Sequence, residues 1–92
     1  MNHITNLQRP VLDLQATGRK IKSFMDASQI SVRDLQSIFG FDYPQAIYAW
    51  LSGRNLPTVD NLIVLSELFG VSIDEIVCRK FITLEAESKV SA

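Results

Sequence analysis

The sequence predicts an all-α fold: one domain of about five short helices over residues 13–78, between a short N-terminal arm (1–12) and a C-terminal tail (79–92). Three observations predict it. Apolar residues recur at steps of three and four instead of alternating. Cap-type residues and glycines bracket each periodic run with start and stop signals. With 92 residues, 47% of them apolar, the chain can bury one core without staples.

Residues 1–12 have no clear period and contain Pro10, so they read as a loose or partner-dependent arm. Asp13 is a candidate N-cap for a first helix. Its inner side carries Leu14, Thr17, Ile21, Phe24 and Met25, with Arg19, Lys20, Lys22 and Asp26 largely opposite. Gly18 lowers helix stability there, which points to a tight helix contact or an internal start. Ser31 opens a second helix, with Asp34 three residues on and Ile30 and Leu35 at the staple positions. Leu35, Ile38 and Phe39 form its stripe, and Gly40 supplies a left-handed stop. After the link Phe41-Asp42-Tyr43, Pro44 suits the first position of a third helix, about 44–52, and holds Tyr43 extended as its cap. The stripe of that helix is Ile47, Trp50 and Leu51, and Gly53 ends it. Thr58 caps a fourth helix that buries Leu62, Leu65, Leu68 and Phe69 and stops at Gly70. Ser72 and Glu75 make a capping box, with Val71 and Ile76 as staple, for a short fifth helix near 73–78. Phe81, Ile82 and Leu84 fit either a strand or a helical extension, and residues 85–92 look frayed.

Several function classes are excluded on composition. No run of about 18 uncharged apolar residues exists, so no membrane span is expected. The N-terminus lacks the pattern of a secretory signal. Cys78 stands alone, without a disulfide partner or zinc-ligand spacing, and is expected to be a small buried hydrophobe. The chain therefore reads as cytoplasmic, with no metal and no cofactor. The single histidine, His3, lies in the arm. There is no Ser/His/Asp set, no glycine-rich phosphate loop and no framed carboxylate pair, so the chain is not expected to be an enzyme. The formal charge is −1, but it is divided. Residues 14–56 hold Arg19, Lys20, Lys22, Arg33 and Arg54 against Asp26, Asp34 and Asp42, a net +2. Residues 57–92 hold Arg79, Lys80 and Lys89 against Asp60, Glu67, Asp74, Glu75, Glu85 and Glu87, a net −3. Phosphate contact depends on the local face and not on the total.

The second and third helices, joined by a glycine-containing turn, match the helix-turn-helix unit. In that unit the second helix enters the major groove of duplex DNA. With Ile47, Trp50 and Leu51 inward, Tyr43, Gln45, Ala46, Tyr48, Ala49 and Ser52 are expected to face outward. A glutamine amide matches adenine N6 and N7, so Gln45 is the leading candidate for base reading. Ala46 and Ala49 suit a thymine methyl, and Tyr48 a base or a phosphate. Ser52, Gly53, Arg54 and Asn55 present small polar groups and a cation, which suit phosphate positioning.

From about residue 18 to residue 77 the chain resembles the lambda-repressor/Cro family of helix-turn-helix domains, the Xre type. The residues that carry the likeness are Ile21-Lys22, Ile30-Ser31, Leu35, Phe39-Gly40, Ile47, Trp50, Gly53, Leu56-Pro57, Asn61-Leu62, Leu65, Leu68, Gly70-Val71-Ser72 and Asp74-Glu75-Ile76. The resemblance implies a five-helix lambda-repressor-like domain, a bacterial or phage origin and a role as a sequence-specific transcriptional regulator. It also implies DNA contacts at Val32 and Arg33, along the outer face of the third helix, at Ser52 to Asn55 and near Asn61. Base-edge candidates are thus Gln45, Ala46, Tyr48 and Ala49. Phosphate candidates are Val32, Arg33, Tyr43, Ser52, Arg54, Asn55 and Asn61.

The chain departs from the family in places. Valine stands at 32, where glutamine is common. The link before the third helix is one residue longer, and Pro44 replaces a contacting side chain. Met25 and Leu51 occupy positions that often hold an arginine–glutamate pair, so an apolar contact is expected between them. Double-stranded DNA is the expected partner, bound by a homodimer whose surface comes from the fifth helix, the 79–84 segment or the N-terminal arm, with Phe81, Ile82 and Leu84 as the best candidates. The competing expectation is a protein-interaction module, such as an antitoxin component, with little DNA binding of its own.

Overall fold

The computed structural model describes residues 7–84. Five helices follow in order: α1 (Leu14–Ser28), α2 (Val32–Phe39), α3 (Gln45–Ser52), α4 (Val59–Phe69) and α5 (Ile73–Ile76). Two strands flank them, β1 (Gln8–Leu12) and β2 (Arg79–Thr83), and pair antiparallel with Pro10 opposite Phe81. The fold is therefore mostly helical, and the all-α expectation is corrected. Part of the arm and part of the tail make a ribbon with each other. The Asp13 N–H donates to the Cys78 carbonyl at 2.9 Å and the Leu84 N–H to the Leu7 carbonyl at 2.8 Å. Between these, the Gln8 amide donates to the Thr83 hydroxyl at 2.9 Å. A pairing between opposite ends of the chain leaves no mark in a local sequence window.

The start signals act as the sequence indicates. Asp13 accepts the Ala16 N–H at 3.0 Å, and Thr58 accepts the Asn61 N–H at 3.3 Å. Ser31 with Asp34, and Ser72 with Glu75, form reciprocal capping boxes. Two helix boundaries differ from expectation. Pro44 is the N-cap of α3, with ψ near 3°, and α3 begins at Gln45; Tyr43 is not the cap. Helix α5 ends at Ile76, because Val77 is already extended (ψ 124°) and leads into β2. A further boundary carried no sequence signal: α1 closes on Gln29 in the left-handed region (φ 57°), a conformation that side-chain-bearing residues rarely take.

The core is Ile21, Met25, Leu35, Ile47, Trp50, Leu62, Leu65 and Ile76, drawn from every helix. Buried Thr17 is the polar exception, and its hydroxyl accepts the Cys78 N–H at 2.9 Å. That bond fixes the exit from α5 onto α1, so the threonine is structural. Several expected core residues are less buried, among them Leu14, Phe24, Phe39, Leu68 and Phe69, each half-buried. Ile38 is 49% exposed, since Leu35 and Phe39 already define the inner side of a two-turn helix. Leu51 and Cys78 are half-buried. Met25 is buried in the core and Leu51 packs at its margin.

The α2 capping box also sets a pH dependence. Asp34 accepts the Ser31 backbone N–H at 2.9 Å, and the Ser31 hydroxyl adds to this, so its carboxyl is held below its ordinary value of 3.8. The folded chain therefore binds this proton less readily than the unfolded chain. The stabilisation is present above pH 3.8 and is lost as the pH falls through the lower folded value. Asp34→Asn is expected to melt at a lower temperature than the wild type near neutral pH. The gap should close in strongly acid solution. A gap independent of pH, followed by circular dichroism, would assign the cap to shape alone.

Candidate nucleic-acid interface

The turn between α2 and α3 is built by Gly40 and by rings. Gly40 takes φ 69°, which glycine adopts without steric penalty, and the Phe41 N–H reaches back to the Gln36 carbonyl at 3.0 Å. The Gln36 side-chain amide then donates to the Asp42 carbonyl at 3.1 Å and holds the rest of the link. Phe39 and Phe41 stack at 5.2 Å between centroids, and both meet the Trp50 ring edge-on, at 5.5 and 6.0 Å. The link is thereby anchored to α3, and Phe41, although it lies in the connector, is part of the packing. Five aromatic residues within twelve positions (Phe39, Phe41, Tyr43, Tyr48 and Trp50) were the available signal.

The far end of α3 is held by close backbone approach. A Cβ on Gly18 would lie 2.5 Å from the Trp50 carbonyl oxygen and 2.6 Å from that of Leu51. Gly53, at φ 80°, sits against Gln15, one turn earlier on α1. The tight contact suggested by Gly18 is thus with α3. Between these two anchors α3 buries Ile47, Ala49 and Trp50.

Outward lie Gln45, Ala46, Tyr48 and Ser52, with Tyr43 ahead of them. Tyr43 is 71% exposed and Tyr48 55%. Ala49 is corrected: it is 6% exposed and belongs to the inner face, one position before Trp50. Among the described residues no side chain caps α3, whereas Asp13, Ser31, Thr58 and Ser72 cap the other four helices. Its first amide donors are therefore left for an outside acceptor, at the end of the helix that carries partial positive charge.

The other candidates lie around this face. Arg33, Arg54 and Asn55 are exposed, and among the described residues neither arginine is paired with a carboxylate. Arg54 is positioned by its backbone, whose N–H donates to the Ala49 carbonyl at 2.9 Å. The Ser52 hydroxyl donates to that same carbonyl at 3.2 Å, so its proton is already engaged. Val32 is half-buried against the core, which leaves its backbone N–H as its polar contribution. Asn61 is half-buried in the first turn of α4. His3 lies outside the described residues.

Two short helices, a turn fixed by glycine and rings, and an outward polar row on the second helix define the helix-turn-helix class. The sequence profile of the helix-turn-helix family matches residues 21–76. The chain belongs to that family, in its Cro/C1 type, the group that includes lambda repressor, and is a DNA-binding regulator of transcription. No curated protein and no solved structure matches the chain. Among the described residues, no helix is long and apolar enough to cross a membrane.

Proposed function

We propose that this regulator reads a specific duplex sequence by laying α3 in the major groove. The observation that carries the reading is the exposed row Gln45, Ala46 and Tyr48 standing over buried Ile47 and Trp50, on a helix whose N-terminal amides lack a cap. In this reading the Gln45 amide pairs with adenine, and Ala46 lets the helix approach a thymine methyl. Arg33, Tyr43, Arg54, Asn55 and the amide of Val32 fix the register on phosphates. Asn61 reaches the same strand from α4. Ser52 contributes once its hydroxyl turns from the Ala49 carbonyl.

The test is selection from a random duplex pool, followed by titration of the enriched sequence. Gln45→Ala should cost about 1–3 kcal/mol on that sequence and relax preference at one base pair. Arg54→Ala should weaken every duplex alike and reduce the salt slope by about one. A pool that yields no preferred sequence at low ionic strength overturns the proposal. A second reading, a module that binds a partner protein with little DNA affinity, is favoured by Val59, Ile63 and Val64, exposed together on α4. It requires binding to DNA that is weak and barely sensitive to salt.

A further inference from the structure

The ribbon of β1 and β2 has two faces of different chemistry. Side chains alternate along a strand, so the paired residues Arg9 with Ile82 and Val11 with Lys80 share one face. Gln8 with Thr83, Pro10 with Phe81 and Leu12 with Arg79 share the other. Neither strand carries a carboxylate. On the first face Arg9 and Lys80 stand diagonally to each other, both exposed, and among the described residues neither is paired with a carboxylate. On the second face Arg79 is already held by Asp74, at 2.6 Å. The first face is thus a small surface with two unengaged cations, on a chain whose formal charge is −1.

The ribbon leaves the helical body beside the far end of α3. Its base is the bond from the Asp13 N–H to the Cys78 carbonyl, and Gln15, two residues after Asp13, is the residue that packs against Gly53. Ser52, Arg54 and Asn55, three of the phosphate candidates, lie at that same end. We propose that the Arg9–Lys80 face makes a second contact with duplex DNA, to phosphates next to those met by the segment from Ser52 to Asn55. Strands of five residues give a ribbon about 17 Å long, which matches about five base-pair steps of a duplex. Val11 and Ile82 lie between the two cations and offer an aliphatic bed for the stems of the arginine and the lysine. Contacts of this kind add affinity and fix position, and they leave the preferred sequence unchanged. The inference rests on the reading of this chain as a duplex binder through α3.

Salt titration of the intact chain tests it, on the duplex enriched from the random pool and on an unrelated duplex of the same length. Arg9→Gln and Lys80→Gln should each lower the slope of log affinity against log salt by about one, and the double variant by about two. Both duplexes should lose affinity by the same factor. Arg9→Lys, which keeps the charge, should keep the slope. Arg79→Gln, on the opposite face, should change it far less, because Asp74 already engages that charge. Every variant should keep the helical signal in circular dichroism, since each of these side chains is exposed. A wild type that prefers one sequence while both glutamine variants keep its slope overturns this inference and leaves α3 as the reading helix. A wild type that binds no duplex at low ionic strength overturns both. An Arg79→Gln loss equal to that of Lys80→Gln assigns the effect to overall charge and overturns the proposal. So does binding to phosphatidylserine vesicles that Arg9→Gln and Lys80→Gln abolish while the duplex slopes stay the same, which assigns the face to a membrane.

Discussion

Trp50→Ala is expected to destabilise the domain by about 3–5 kcal/mol, the range for truncating a buried tryptophan. The ring is 4% exposed and faces both Phe39 and Phe41, so its loss opens a cavity where α2, the turn and α3 meet. A small domain has a total stability of about 5–15 kcal/mol, so a large share is removed at once. In a domain of this size each kcal/mol moves Tm by about 4–8 °C, and a thermal melt will read the change directly. Phe39 and Phe41 stack on each other and meet the indole edge-on, so Trp50→Phe should retain much of the loss. If Trp50→Ala melts within a few degrees of the wild type, the aromatic cluster does not hold α3 in place.

Gly18→Ala is the second, and its sign decides between two effects. Alanine in a helix interior favours folding by about 1 kcal/mol over glycine. Against this, the new methyl would stand 2.5 and 2.6 Å from two backbone oxygens of α3. Backbone cannot turn aside as a flexible side chain can, so α1 and α3 must part. Overpacking of this kind costs about 1–3 kcal/mol. The expected net result is a lower midpoint in urea. DNA binding should be weaker even where the domain remains folded, because the displaced helix is the proposed reading helix. A stabilised Gly18→Ala variant would show that α1 and α3 are further apart than described.

Before a site can be considered, the fold has to put its helices in place, and here the local grammar went far. Asp13, Ser31, Thr58 and Ser72 cap the helices that the spacing assigned to them, and Gly40, Gly53 and Gly70 end theirs in the left-handed region. These signals are legible because caps and stops act within four residues. The candidate interface was legible in part. Gln45, Ala46 and Tyr48 face outward as periodicity requires, whereas Ala49 does not. A small residue fits either side of a helix, and its side is set by what packs against it. Here α1 comes close to the end of α3, with Gly18 against the Trp50 and Leu51 carbonyls and Gly53 against Gln15.

What the sequence by itself determined is the set of helices, their caps and the helix-turn-helix order, since hydrophobic period and backbone capping are properties of short segments. Tertiary structure alone decided that residues 8–12 and 79–83 form a ribbon and that Phe41 joins Trp50. Each of these depends on partners distant along the chain, and the free energy of a long-range contact is not carried by either segment alone.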